Sequence, residues 1–284
     1  LFFELAVEDL QRAADVFRPI YDVTDGVDGF VSLEVSPTLA YDTDATVREA
    51  KALHARADRP NLFIKIPGTP QGLPAIEECI AAGVPVNVTL LFSAAQYLAA
   101  ADAYLKGIER RLDQGLNPAV ASVASVFMSR WDVAVADTVE HDLKNRLALA
   151  VGKETFAAYR SLMDSDRFQR LANVGARMQR LLWASTGTKD PDAPDTLYIQ
   201  GLASPFTVNT MPDQTLKAFA DHGEVGALLP ANGGDAHEVL ARFTAAGVDV
   251  GALATELQTN GAQAFVNSWN ELLAVIEKAS PGDA

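Results

Sequence analysis

One lysine, Lys65, lies inside an apolar run, between Ile64 and Ile66. An ammonium group in such surroundings loses hydration, which lowers its pKa and frees a nucleophilic amine. An amine of this kind can form a Schiff base with a carbonyl substrate. A lysine at a sheet edge, or one half of a buried ion pair with Glu34, is the alternative, and for an isolated lysine these are the commoner cases.

Polar side chains near the ends of other apolar runs favour the interpretation of Lys65 as a nucleophile over its structural alternatives. Glu34 suits acid/base work through a water, or serves as a simple counter-ion. Asn87 and Thr89 are two residues apart and share one face of a strand, so they can orient a substrate hydroxyl and a water, or bond within the core. The full set at these positions is the polar residues Glu34, Lys65, Asn87, Thr89, Ser125 and Ser185, together with Phe127, which shares one strand face with Ser125.

Arg130 follows Phe127 by three residues, where a loop would enter the next helix. Cations at a pocket rim recognise phosphate, although a surface position is the alternative for a single arginine. The chain has 37 acidic and 23 basic residues, a formal net charge of −14. This charge disfavours nucleic acid or an anionic membrane as partner, and an anionic substrate would need a local cationic patch.

The sequence predicts no metal site, because none of the four histidines lies at metal-ligand spacing. Cys79 is the only cysteine, which excludes a disulfide framework and fits a reducing compartment, so we expect a cytoplasmic protein. The most apolar stretch, residues 79–104, is interrupted by polar residues, glycine and proline. We therefore expect no membrane span and no secretory signal.

Short apolar runs alternate with longer helical patterns along the chain. The runs predict strands of a parallel sheet that is buried on both faces. They cover residues 29–34, 61–66, 84–90, 120–127, 181–185 and 226–229. Helical periodicity and capping signals predict helices over residues 1–17, 43–57, 93–115, 130–149, 154–179 with a break at 164–166, one opening at Asp235, and one from Val250 with an interruption at Gly261.

Strands alternating with helices predict repeated βα units. About six units fit, whereas a complete (β/α)8 TIM barrel has eight. In such a barrel the carboxyl ends of the strands carry the active site, which is where the polar residues lie. An open doubly wound sheet is the alternative, weakened because no G-x-G-x-x-G or Walker sequence follows any run. We predict a single domain over residues 1–284.

Four segments together resemble transaldolases. They are SLEVSPTLAYDT (32–43), NLFIKIPGTPQG (61–72), VNVTLLFSAAQY (86–97) and SVFMSRWD (125–132). The segments ASTGTKDP (184–191) and TVNTMP (207–212) are similar to the larger bacterial branch of that family. The resemblance covers essentially the whole chain in order. It implies a class I aldolase-type barrel of the pentose phosphate pathway that needs no cofactor.

The resemblance also implies transfer of a dihydroxyacetone unit from sedoheptulose 7-phosphate or fructose 6-phosphate to an aldose phosphate. Lys65 would form the Schiff base, and Glu34 and Thr89 would hold the catalytic water. The substrate-binding residues would be Asn87, Ser125, Phe127, Arg130, Ser185 and Lys189. Of these, Arg130 would bind phosphate, and Lys189 would replace, with a less directional contact, an arginine found in many relatives.

One departure from the family pattern concerns the first two strands of the barrel. The family uses an aspartate on the first strand for carbon–carbon cleavage, and residues 1–17 match the helix after the second strand. We therefore expect both front strands and that aspartate in an upstream segment of roughly 60–90 residues.

Two other functions stay open at this point. One is a fructose 6-phosphate aldolase-like lyase, which would release free dihydroxyacetone. The other is a non-catalytic sugar-phosphate-binding domain of a fusion protein. The partners expected are sugar phosphates, with no nucleic acid or membrane, and the protein is expected to be a monomer or homodimer.

Overall fold

The computed structural model describes residues 2–279 and contains one parallel sheet of six strands. The strands are β1 (Val31–Glu34), β2 (Leu62–Pro67), β3 (Val86–Leu91), β4 (Ser122–Phe127), β5 (Gln179–Ala184) and β6 (Thr207–Asn209). Each strand pairs in parallel with the next one along the chain. This confirms the predicted α/β fold of consecutive βα units. The sequential order lacks the reversal of a doubly wound sheet.

Helices connect and cover the strands. They are α1 (Phe2–Val23), α2 (Thr43–Ala57), α3 (Gly72–Ala81), α4 (Ala94–Asp113), α5 (Ser129–Val135), α6 (Leu147–Met163), α7 (Asp166–Asn173), α8 (Leu197–Gly201), α9 (Asp213–His222), α10 (Ala236–Ala245) and α11 (Val250–Ala279). Two predicted capping residues cap the first turn of a helix. The Asp42 side chain accepts a hydrogen bond from the amide of Ala45 at the start of α2, and the Ser93 side chain accepts one from the amide of Gln96 at the start of α4. Leu1 of the first predicted helix, and residues 280–284 of the predicted domain, lie outside the described residues.

The sheet is strongly curved, as in a barrel. Arg180 on β5 forms an ion pair with Asp28, in the loop before β1, at 3.0 Å, and Arg177 reaches Asp25 at 3.0 Å. In a flat sheet, strands four places apart would lie about 19 Å from each other, because neighbours are about 4.8 Å apart. The curvature turns one face of the sheet inward, and this face carries Lys65.

Some of the predicted elements are wrong. Residues 226–229 form a loop, and the sixth strand is Thr207–Asn209. The run at 226–229 is short, and Leu228 is 56% exposed, so it does not form the buried strand that its composition suggested. The predicted interruption of α11 is also absent, since the helix continues through Gly261.

The single helix predicted over residues 130–149 is two helices, α5 and α6. Asp132, which is buried in α5, accepts hydrogen bonds from the backbone amides of Leu147 and Ala148 at the start of α6. Its second oxygen accepts from the hydroxyl of Tyr198, at 2.8 Å. Asp132 therefore caps one helix from another and fixes α5, which also carries Arg130.

We expect Asp132→Ala to lower the free energy of unfolding by about 1–3 kcal/mol, because three buried donors lose their acceptor. Asp132→Asn should be at least as stable as the unsubstituted chain at pH 7. Burial raises the pKa of the Asp132 carboxyl, so its charged form is disfavoured in the folded state. This destabilisation of the folded chain is absent below the pKa of Asp132 in the unfolded chain, about 3.9, and grows as the pH rises through the higher pKa of the folded chain.

Urea denaturation at pH 7 and pH 4 tests this prediction. The stability of the asparagine variant relative to the unsubstituted chain should be highest at pH 7 and should fall toward pH 4. An asparagine variant as unstable as the alanine variant would contradict it.

Candidate active site

The carboxyl ends of β1 and β2 bring Lys65 and Glu34 together, because the two residues are register partners in the parallel ladder. The Lys65 amino nitrogen lies 2.8 Å from Glu34 Oε2. The two side chains are 25% and 29% exposed, so substrate and water can reach both. The sequence allowed either a desolvated amine or an ion pair with Glu34, and the geometry is that of the ion pair.

A row of hydrogen bonds crosses the inward face beside this pair. The Ser125 hydroxyl on β4 donates to Asn87 Oδ1 at 2.7 Å, and the Asn87 amide on β3 donates to Ser32 Oγ on β1 at 3.3 Å. Asn87 is the register partner of Lys65 on β2. The row therefore joins β4, β3 and β1 across the face on which β2 carries Lys65.

Thr89 shares the inward face with Asn87, two residues along β3, and its register partner on β2 is Pro67. Its side chain is fully buried, and within residues 2–279 its hydroxyl has no hydrogen-bond partner. A buried hydroxyl without a partner is costly and is commonly satisfied by a water or ligand. Leu90, the next residue, has a left-handed backbone with φ of 58°.

Arg130 at the start of α5 lies between two aromatic rings. Its guanidinium carbon is 5.2 Å from the centre of the Phe127 ring and 5.7 Å from that of Phe265 on α11. Burial lowers the pKa of Arg130, which nevertheless stays a cation. Among residues 2–279 it forms no ion pair, so its charge is available to an anion.

Gly261 explains how α11 approaches this arginine. A Cβ atom at position 261 would lie 2.9 Å from both Arg130 Nη1 and Leu90 Cδ2. A side chain at this position would have to displace the Arg130 guanidinium and the Leu90 methyl group. The glycine therefore marks a contact between α11 and the site rather than the end of a helical segment.

Ser185 lies at the end of a strand, as the other candidate residues do, whereas Lys189 lies farther along the chain in a separate groove. Ser185 directly follows β5, and its hydroxyl is 2.9 Å from that of Ser129. Lys189 is exposed and lines a groove of about 410 Å³ with Asp132, Lys144 and Asp190. Arg130 does not line that groove. The role of Lys189 as a second phosphate cation stays a prediction.

Several residues of the site were not found from the sequence. Ser32 could have been found by the alternation of strand β1, since it precedes Glu34 by two residues. Phe265 and Gln258, whose side-chain amide reaches the ends of two strands, come from α11 and carry no local signal.

Within residues 2–279, no helix has both the length and the apolar character needed to cross a membrane. The same residues contain no group of three or more histidine, cysteine or carboxylate side chains placed to hold a metal ion.

The fold and the site together define a class: a curved parallel α/β sheet that presents a lysine and a glutamate side by side at the carboxyl ends of its strands. A family model described as Transaldolase/Fructose-6-phosphate aldolase matches residues 1–276. The chain therefore belongs to the transaldolase/fructose-6-phosphate aldolase family, as its segments had indicated.

Three relatives, each named Transaldolase, match nearly all of the chain. The protein of Parafrankia sp. (strain EAN1pec) is 47% identical over an alignment of 283 positions, and the alignment covers 96% of this chain and 77% of the relative. That of Thermobifida fusca (strain YX) is 47% identical over 93% of this chain and 74% of the relative. That of Mycobacterium bovis is 43% identical over 95% and 75%.

Proposed function

We propose that this chain is a transaldolase, a transferase that moves a dihydroxyacetone unit from a ketose phosphate to an aldose phosphate through an imine on Lys65. The observation that carries the proposal is the Lys65 amine, 2.8 Å from the Glu34 carboxylate among polar side chains at the strand ends. Membership of the family and the names of the relatives support it.

The chemistry begins with a proton transfer. Glu34 Oε2 accepts a proton from the Lys65 ammonium, and the free amine adds to the C2 carbonyl of the ketose. Loss of water gives an iminium, and the C3–C4 bond then breaks with its electron pair moving toward the iminium nitrogen. The C4 hydroxyl gives its proton to water, and the remaining carbons leave as an aldose phosphate. The resulting enamine attacks the aldehyde of the acceptor, and water finally hydrolyses the new iminium. The imine is the electron sink, so no cofactor is needed.

The other residues bind and orient. Asn87 and Ser125 hold the hydroxyl groups of the three-carbon unit, and the Phe127 ring closes one side of its pocket. Thr89, whose hydroxyl is free within residues 2–279, holds the water that leaves and returns. Ser185 contributes a hydroxyl at the end of β5.

Arg130 binds the phosphate of the sugar in this proposal. A charge-assisted contact contributes about 1.5–3 kcal/mol, equivalent to roughly 10–150-fold in affinity. We expect Arg130→Ala to raise KM for fructose 6-phosphate by a factor in this range and to change KM for unphosphorylated dihydroxyacetone little. Steady-state kinetics with both donors measures the difference.

Arg110→Ala is the matched control, because Arg110 is paired with Glu77 and Glu78 on the surface, away from the strand ends. It should alter neither KM. Equal losses for both donors in the Arg130 variant would place the phosphate elsewhere.

A product assay separates the proposal from the lyase of the same family. The chain is incubated with fructose 6-phosphate, with and without erythrose 4-phosphate. A transaldolase forms sedoheptulose 7-phosphate and needs the acceptor, whereas a lyase releases dihydroxyacetone without it. Acceptor-independent release at the full rate would overturn the proposal, and binding without any product would favour a non-catalytic sugar-phosphate-binding domain.

The setting proposed for this activity is the pentose phosphate pathway in the cytoplasm. We further propose that residues 1–284 belong to one domain and that the protein acts as a monomer or homodimer on sugar phosphates alone.

A further inference from the structure

Gln258 is a buried polar residue in the middle of helix α11, and only 8% of it is exposed. Its side-chain amide nitrogen donates to the carbonyl of Gly68 at 3.0 Å and to the carbonyl of Leu90 at 2.9 Å. Gly68 directly follows β2, which carries Lys65, and Leu90 lies on β3, which carries Thr89. One amide therefore links the carboxyl ends of the two strands.

The segment that Gln258 holds is irregular. The register between β3 and β4 shifts between Val88 and Leu91, and Leu90 within this bulge has a φ of 58°. A bulky residue is strained in the left-handed region and keeps that conformation only when its surroundings impose it. Helix α11 acts on Leu90 twice, through the bond from Gln258 and through the close contact at Gly261.

The bulge sets the position of Thr89. The backbone carbonyl of Thr89 accepts a hydrogen bond of 2.7 Å from the amide of Gly68. Hydrogen bonds therefore connect Gly68, the Thr89–Leu90 segment and Gln258. The Thr89 hydroxyl is buried without a partner within residues 2–279, so hydrogen bonds of its own do not fix its direction. Its direction depends instead on the backbone that α11 pins.

We infer that Gln258 is a positioning residue, which holds the Gly68 and Leu90 carbonyls so that the Thr89 hydroxyl faces the carbon bound to Lys65. The inference rests on the proposed function, in which Thr89 holds the water of imine formation and hydrolysis. Without the two bonds, Leu90 relaxes and the hydroxyl turns away. Misplacement of a reacting group by about 1 Å can cost 10²-fold in rate.

The test is a double-mutant cycle of Gln258→Met and Thr89→Val. Methionine matches the length of glutamine and removes the donors, and valine matches the shape of threonine and removes the hydroxyl. We expect Gln258→Met to lower kcat roughly 10–100-fold with KM changed less than about threefold, since Arg130 still binds phosphate. In the Thr89→Val background the same change should cost less than about threefold, because the group it positions is gone.

Gln263→Met is the matched control, a glutamine on the exposed side of the same helix whose side chain, among residues 2–279, bonds only to that of Asn267. It should leave kcat and KM unchanged. Gln258→Asn keeps the amide but is one methylene shorter, so it should show the same selective loss of kcat in smaller measure. This variant decides the question if the methionine variant does not fold, as judged by circular dichroism.

Equal losses from Gln258→Met in both backgrounds, or an unchanged kcat, would overturn the inference while leaving the proposed function standing. The two are distinguished by borohydride reduction of the unsubstituted chain with fructose 6-phosphate. An adduct on Lys65 supports the imine whatever Gln258 does, and its absence overturns the proposed function and the role of Gln258 with it.

Discussion

Borohydride added to the chain together with fructose 6-phosphate should leave a stable secondary amine on Lys65 and on no other lysine. The reason is the exposure of this amine at the strand ends, next to the Glu34 carboxylate, which is the proton acceptor in the proposed function. Lys65→Met should abolish trapping and lower kcat by several orders of magnitude, since removal of an essential nucleophile costs on the order of 10⁶-fold. Peptide mass spectrometry and a turnover assay measure the two effects.

Lys51→Met is the control for this experiment. Lys51 also pairs with a glutamate, Glu78, at 2.9 Å, but the pair lies on the surface between α2 and α3. The control variant should be trapped on Lys65 and turn over normally. A labelled lysine other than Lys65, together with an active Lys65→Met variant, would refute the assignment of the nucleophile.

Glu34→Gln should lower kcat by about 10²–10⁴-fold, the contribution of a positioned proton transfer. Glutamine keeps the size of the side chain and its carbonyl can still accept a bond from Lys65, but the charge and the base are lost. Imine trapping should slow in the same proportion, because the Lys65 amine must lose its proton before it attacks. Stopped-flow mixing followed by borohydride quenching gives the rate of imine formation.

Glu78→Gln is the matched control, with a lysine partner at nearly the same distance and no access to the strand ends. Hydrogen bonds from Lys51 and Arg110 lower the pKa of Glu78, so it is charged at neutral pH as a control requires. Its removal should leave both rates unchanged. If Glu34→Gln forms the imine as fast as the unsubstituted chain, another base serves Lys65.

The sequence predicted the part of the site that strands carry, because strand alternation is local. The two-residue spacing of Asn87 and Thr89 was enough to assign them to one face, and the parallel arrangement placed that face beside Lys65 and Glu34. The hydrogen bond from Ser125 to Asn87 joins two residues that the sequence had placed on the same face of neighbouring strands.

The residues that α11 adds to the candidate site could not be predicted. Helical periodicity shows that one face of a helix is buried, but it does not show which residues pack against that face. Gly261 shows the difficulty most clearly. Glycine weakens an isolated helix, which made an interruption the natural interpretation. In the folded chain Gly261 packs against Arg130 and Leu90, which lie far away in the sequence, and the helix continues through it.

β6 was missed for another physical reason. It has three residues of intermediate burial, and neither its length nor its composition distinguishes it from a loop. Its pairing with β5 alone defines it as a strand.

The bonds from Gln258 have a consequence for the order in which the protein is made. Gln258 follows its two acceptors, Leu90 and Gly68, by 168 and 190 residues. At about 5–20 residues per second, a ribosome needs on the order of ten seconds or more to cover that stretch. A nascent chain therefore contains Lys65 and Glu34 before it contains the helix that bonds to Gly68 and Leu90. Under the proposed function, the residues of the imine are made well before the helix that orients Thr89.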